Sequence, residues 1–142
     1  MRLNTKSRYA VMALADMASF IDNKPVSLRD ISLRQSISLQ YLEQIFLRLK
    51  KNNIVKSIRG VKGGYVLTKD ASTLKLSEIF SALDENVKTT GCDNNSKKGC
   101  NGRSTKCITH NLWDQLDQHI NGFFENIRLQ DLSKTVGNNN EK

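Results

Sequence analysis

Apolar residues return with a helical period in four separate stretches of this chain, and the breaks between them divide it into elements. Ala10, Leu14, Met17, Ala18 and Ile21 fall at i, i+4, i+7, i+8 and i+11, one stripe on a first helix that Asn4 or Thr5 can cap. Asn23-Lys24-Pro25 ends it, because proline cannot continue a helix and disfavours helical backbone in the residue before it. Ser27 opens a short second helix, with Asp30 three residues on as the far side of a capping-box-like start and Leu28 and Ile31 turned inward. The third helix has Ser38 at its N-cap, and Ile37 and Leu42 at the spacing of a hydrophobic staple. Leu42, Ile45, Phe46 and Leu49 form its buried stripe. Gln40, Gln44, Leu47, Arg48 and Lys51 lie opposite, with Tyr41 and Glu43 at the flanks.

After Asn52-Asn53, which can adopt the left-handed backbone that ends a helix, the period changes from helical to β. IVKSIR and YVLTK read as two short strands around Gly60-Val61-Lys62-Gly63-Gly64. Leu76, Ile79, Phe80 and Leu83 restore the helical spacing in a fourth helix. A polar loop from Asp84 to Lys106 follows, long enough for a small domain to be suspected of a function. Ile108, Leu112, Leu116, Ile120, Phe123 and Ile127, at intervals of 4, 4, 4, 3 and 4, then mark a last helix of about 20 residues. That is longer than a small helical body requires. Its stripe calls for a cover, and a second copy of the same helix is the simplest one, with packing on the first helix as the other option. A polar tail, expected to be disordered, occupies residues 135–142.

Two short helices joined by a tight turn, the second displaying amides and bases, describe a helix-turn-helix, and a glycine-rich hairpin after it describes a wing. Gln40 and Gln44 favour a DNA-reading surface over an ordinary solvated one, since a carboxamide can contact adenine at two points while Arg and Lys take phosphates. Exposed Leu47 is the exception on that face and would pack on a neighbouring element or a thymine methyl. At the wing tip, Gly60 permits close approach to a groove and Arg59 suits a narrow minor groove, with Lys62 beside it. No phosphate-loop pattern is present: neither GxxxxGK[ST] nor GxGxxG occurs.

Charge sharpens this division. The chain has 142 residues, enough for one domain with an appended element, and a net charge of +8. Residues 1–70 hold thirteen Lys/Arg against five Asp/Glu, and residues 71–142 hold nine of each, so the whole excess sits in the half that would meet a polyanion. No apolar run approaches the ~18 residues of a membrane span. The basic, apolar start is interrupted by Arg8 and Asp16, which argues against a secretory leader and for a cytoplasmic protein with no membrane association. No nucleophile–base signature appears, so the chain is not expected to be an enzyme.

All three cysteines, Cys92, Cys100 and Cys107, and His110 lie in the polar loop, which cannot fold on a core of its own. In a reducing compartment this set points to metal or redox chemistry rather than disulfides. An iron–sulfur cluster, a zinc ion and unligated thiols all fit the donor types. The C-x7-C-x6-C-x2-H spacing lacks the tight C-x2–4-C knuckle of structural zinc and favours a cluster. Lys97, Lys98, Arg103 and Lys106 could favour the thiolate forms, or be solvated loop charges. His119, nine residues past His110, reads as a surface or interface residue.

Four motifs in order, MRLNTKSRYAV, ISLQYLEQIFLRLKKN, VKSIRGVKGGYVLTKDAS and a cysteine loop ending in CITHNLW, resemble the winged-helix iron–sulfur-sensing repressors that regulate iron–sulfur cluster assembly, over about residues 1–132. The resemblance implies a mainly α fold with a small β wing. Residues 1–84 would form a winged helix-turn-helix DNA-binding domain, 85–110 a cluster-binding loop and 107–130 a dimerisation helix. It implies a homodimer on palindromic double-stranded DNA and a [2Fe–2S] cluster on Cys92, Cys100, Cys107 and His110. DNA contacts would come from Ser38, Tyr41 and Gln44, with Arg59 and Gly60 in the minor groove. Glu43 would choose between operator classes according to cluster occupancy. Two departures stand out: Gln40 occupies a position where the family carries serine, which would alter base preference, and the cysteine spacing is wider than the family loop. A zinc-stabilised regulator and an electron or cluster carrier are the rival functions.

Overall fold

The computed structural model describes residues 3–20, 24–85, 88 and 106–132. Ile21, Cys92, Cys100 and the 135–142 tail lie outside the described residues. The element order is α1 (Thr5–Ala18), α2 (Leu28–Gln35), α3 (Leu39–Lys51), β1 (Val55–Ile58), β2 (Gly64–Leu67), α4 (Leu76–Ala82) and α5 (His110–Asn126).

Each of the first three helices begins where a side-chain oxygen can take an otherwise unpaired backbone N–H. Asn4 accepts from Lys6 N–H at 3.0 Å, Ser27 from Asp30 N–H at 3.1 Å and Ser38 from Tyr41 N–H at 3.5 Å. Between α2 and α3 the chain turns at Ser36, which takes left-handed backbone at φ 56°, and the Ser32 hydroxyl closes the turn on the Ile37 carbonyl. Ile31, Leu42, Ile45, Phe46 and Leu49 are then fully buried against Leu14 of α1 and Ile79 of α4. At roughly 1.5–3 kcal/mol for each such side chain, this stripe is what holds α3 in place.

Asn53, at φ 61°, ends α3 as expected. The strands pair antiparallel from Val55↔Leu67 to Ile58↔Gly64. One feature lacked a sequence signal. Val26, ahead of α2, exchanges both backbone hydrogen bonds with Tyr65, at 2.9 and 2.8 Å, and so adds a third chain to the wing. Gly64 allows it: a Cβ there would stand 2.5 Å from the Val26 carbonyl oxygen. Phe46 meets the Tyr65 ring edge-on at 5.0 Å, joining the wing to α3.

Of the predicted α1 stripe, Ala10, Leu14 and Met17 are buried and Ala18 is half-buried, and in α4 Leu76, Ile79, Phe80 and Leu83 are all buried. Glu78 of α4 accepts from Lys69 Nζ at 3.0 Å and from Lys75 N–H at 3.2 Å. Burial pushes the Glu78 carboxyl up, but these bonds and the charges of Lys69 and Lys75 outweigh it and hold it below its ordinary range. A carboxyl lowered on folding contributes stability above its unfolded pKa and loses it as pH falls through the folded one. Glu78→Gln is therefore expected to cost under about 1 kcal/mol at neutral pH, since Lys69 is half exposed, and progressively less in acid as the folded protein's carboxyl takes up its proton. Thermal unfolding of both proteins at neutral and acid pH measures this.

The last apolar period extends beyond its helix at both ends. Ile108 stands in the turn before α5, and Ile127 caps it in extended backbone. The helix stops there because the chain pairs with the start of α4: Leu76 N–H donates to the Ile127 carbonyl at 3.0 Å and Leu129 N–H to the Leu74 carbonyl at 2.9 Å. Leu129 is fully buried, and Phe124 packs edge-on against Phe80 at 4.6 Å. Before that anchor α5 carries its apolar side chains outward: Leu112, Leu116 and Phe123 are 56%, 39% and 59% exposed, and no residue of α5 is buried.

Candidate nucleic-acid interface and metal loop

On α3 the structure keeps Gln40, Glu43, Gln44, Leu47 and Lys51 exposed, opposite the buried stripe. Ser38 is exposed at the helix start. Its oxygen accepts the Tyr41 N–H, which leaves the hydroxyl hydrogen available to donate, beside the partial positive charge of a helix N-terminus. Tyr41 is half-buried, held by a T-shaped contact with Tyr9 of α1 at 5.6 Å, so its ring is fixed at the flank of the face. This is a surface of donors and acceptors on a rigid support, the arrangement a helix needs to read base edges in a major groove.

Arg48 requires a correction. Its place on the outward face predicts a phosphate contact, yet it is half-buried and turned back to the body. Its guanidinium donates to Asp84 Oδ2 at 2.8 Å and to the Leu83 carbonyl at 3.4 Å. Asp84 is presented by left-handed backbone at φ 56°, and the carboxylate offers a better partner than water does.

At the wing tip Arg59, Gly60, Val61 and Lys62 are all exposed. Gly60 takes φ +125°, a backbone that side chains rarely tolerate, and its carbonyl accepts from Gly63 N–H at 3.0 Å to close the turn. Nothing stands within 4 Å of where its Cβ would be, so the tip is open on that side. A bare, cationic, narrow tip of this kind fits a minor groove.

Of the four predicted metal ligands, Cys107 and His110 are in the described residues, and the structure brings them together on one turn, with His110 N–H donating to the Cys107 carbonyl at 3.0 Å. Cys107 Sγ lies 3.7 Å from Thr109 Oγ1, which also accepts from Trp113 Nε1 at 3.0 Å. Among the described residues no group of three or more His, Cys, Asp or Glu side chains could hold a metal ion. The thiol and imidazole of this turn, both partly exposed at the start of α5, are donor types that suit a soft metal.

The other end of that loop is tied down as well, by contacts that sequence reasoning missed. Glu85 accepts from the Ser7 hydroxyl at 2.7 Å and from Asn4 N–H at 3.4 Å, next to the Arg48–Asp84 pair. Asp16, buried in α1, receives two bonds from Arg34 Nε, at 3.2 and 3.0 Å, one from Arg34 Nη2 at 2.7 Å and one from Gln35 at 2.8 Å. The Asp16 bond raises the Arg34 pKa against the cost of burial. Arg34 also lies over the Phe20 ring at 4.8 Å. An acid spaced 18 residues from its base leaves no local signal in a sequence.

Residues 3–135 match the family described as Rrf2, iron-dependent transcriptional regulator. The HTH-type transcriptional regulator IscR of Klebsiella pneumoniae (strain 342) is 52% identical over 132 residues, which cover 93% of this chain and 79% of that protein. Among solved structures, T. potens IscR superposes with a TM-score of 0.77 at 30% identity, covering 96% of this chain and 88% of its own. CymR, the global cysteine regulator of B. subtilis, superposes with a TM-score of 0.79 over 95% of this chain and 98% of its own, and at 24% identity that likeness is one of fold.

Proposed function

This chain belongs to the Rrf2 family of iron-dependent transcriptional regulators, and from that premise we propose that it represses genes of iron–sulfur cluster biogenesis, sensing a [2Fe–2S] cluster held by Cys92, Cys100, Cys107 and His110. It is a DNA-binding regulator and not an enzyme. In this reading residues 1–84 read the DNA, 85–110 form the cluster loop and 107–130 supply the dimerisation helix, in a cytoplasmic homodimer. No described helix is long and apolar enough to cross a membrane.

One observation carries the proposal: the loop runs between two structural anchors of different purpose. At one end Asp84 and Glu85 are bonded to Arg48 of α3 and Ser7 of α1. At the other, Cys107 and His110 open α5, whose outward apolar stripe suits a second copy of itself. Ligands gathered from this loop therefore bear on both the reading helix and the interface. A bound cluster supplies a redox-active and releasable centre, and imidazole in place of a thiolate makes ligation sensitive to pH.

The dimer presents two α3 helices to successive major grooves about 34 Å apart on a palindromic site. Ser38, Gln40, Tyr41, Glu43 and Gln44 face the bases and adjoining phosphates, and Arg59 and Gly60 enter the minor groove. Glu43 favours a cytosine amino group over acceptor-only base edges and repels phosphate, so a small shift of α3 changes which operator it tolerates.

Anaerobic purification followed by a visible spectrum and iron and sulfide analysis tests the cofactor. The single tryptophan, Trp113, lies one turn beyond Thr109, and its fluorescence is expected to be quenched in the loaded protein and restored by chelation. Changing Cys92, Cys100 and Cys107 to alanine is expected to abolish the colour and shift affinity for at least one operator class by about 5- to 150-fold, the usual range of coupling between two sites. A colourless, zinc-loaded protein sinks the cluster assignment, and affinity unchanged on every operator sinks the sensing role.

A further inference from the structure

The outward face of α3 carries one large apolar side chain that the body does not cover. Leu47 is 68% exposed. At about 100° per residue, Gln40, Gln44, Leu47 and Lys51 fall within about 60° of one another and diametrically opposite Leu49, the centre of the buried stripe. A leucine there adds nothing to the isolated fold that a lysine or glutamine would not, since their helix propensities are nearly equal, and it leaves apolar area in water. Its neighbours on the face are hydrogen-bonding groups suited to base edges. In a major groove the apolar counterpart of those groups is the C5-methyl of thymine.

We infer that Leu47 reads a thymine methyl and is a specificity-determining residue of this regulator, an inference that rests on α3 being its DNA-recognition helix. The geometry limits where that thymine lies. Leu47 is seven residues beyond Gln40, a rise of about 10 Å along the helix axis. At 3.4 Å per base step, the two side chains reach positions no more than about three base pairs apart. Gln44, three residues before Leu47, falls between them.

The test uses the full-length protein and duplexes it selects from random sequence. Each thymine of the selected half-site is replaced in turn by deoxyuridine, which removes the C5-methyl and nothing else. One replacement, within about three base pairs of the position whose preference changes in Gln40→Ala, is expected to weaken wild-type binding about fourfold, the worth of one buried methyl. In Leu47→Ala the same replacement has no effect, and Leu47→Met, which keeps an apolar side chain of similar reach, restores it. Both variants should unfold at the wild-type temperature, because the side chain is exposed.

A selected half-site with no thymine in range, or no deoxyuridine penalty in the wild type, overturns the assignment. So does a penalty of equal size in Leu47→Ala, or a loss in that variant that is the same on thymine and deoxyuridine duplexes. Failure of the wild-type protein to select any sequence overturns the reading of α3 itself, and the role of Leu47 with it.

Discussion

Replacing Arg34 with alanine is expected to destabilise the protein by about 1–3 kcal/mol, the cost of leaving one buried polar group short of its partner. A fully buried ion pair would lose more, but Arg34 itself reaches solvent. Asp16 is the buried member: its side chain is 3% exposed, against 39% for Arg34. Without Arg34 the carboxylate keeps one side-chain donor, Gln35, in a site that water barely reaches. Asp16→Ala should cost less, because the guanidinium left behind can turn to solvent. Replacing both residues by apolar ones should recover much of the loss, since the pair itself contributes little beyond its own desolvation cost. Urea unfolding of the three variants measures the order. Equal losses in the two single variants would show that the charge is shared evenly and that burial is not the deciding term. The pair joins α1 to α2, so operator binding should fall in step with folded fraction.

The largest effect expected is on binding rather than folding. Arg29, Lys50, Lys51, Lys56, Arg59 and Lys62 are exposed on the positively charged N-terminal half, whereas Arg34, Arg48 and Lys69 are taken up in ion pairs. If three to five of the exposed cations in each protomer of the proposed dimer meet phosphate, about six to ten contacts result, and affinity should drop by about 10³ to 10⁵ between 50 and 200 mM salt. Arg59→Ala should reduce the slope of log K against log salt by about one per protomer, and Arg34→Ala, corrected for folded fraction, should leave it alone. Fluorescence anisotropy on a labelled operator across that salt range gives both slopes. A slope near zero would contradict the assignment of the positive half to DNA.

Much of this arrangement was legible from local pattern, and the reason is that its helices are locally specified. Ser27 and Ser38 sit at caps whose geometry needs only the next three residues, and the stripe of α3 needs only its own period. The wing was legible from Gly60 to Gly64, because a tight turn between β-rich segments has few other solutions. Contacts between distant residues were not. Val26 carries no sign that Tyr65 will pair with it. Asp16 reads as an interruption of an apolar stretch, when its burial depends on Arg34. Arg48 has the position of a phosphate contact on a helical wheel and is drawn inward by Asp84, a residue 36 positions on. A wheel describes one helix alone, and this one is packed against the start of a loop. Of the four proposed metal ligands, Cys107 and His110 share a turn, as their spacing requires.

Leu129 has a consequence for the order in which this protein comes into being. It is wholly buried in the body formed by the first 83 residues, 55 positions after the Leu74 carbonyl to which its N–H is bonded. A ribosome therefore emits the recognition helix, the wing, the cysteine loop and all of α5 before it delivers the side chain that completes the core around α4. Until then the hydrophobic seat of Leu129 stands open, and the body around α4 is short of its final stability. The last stitch in the body is thus made by the segment that follows α5.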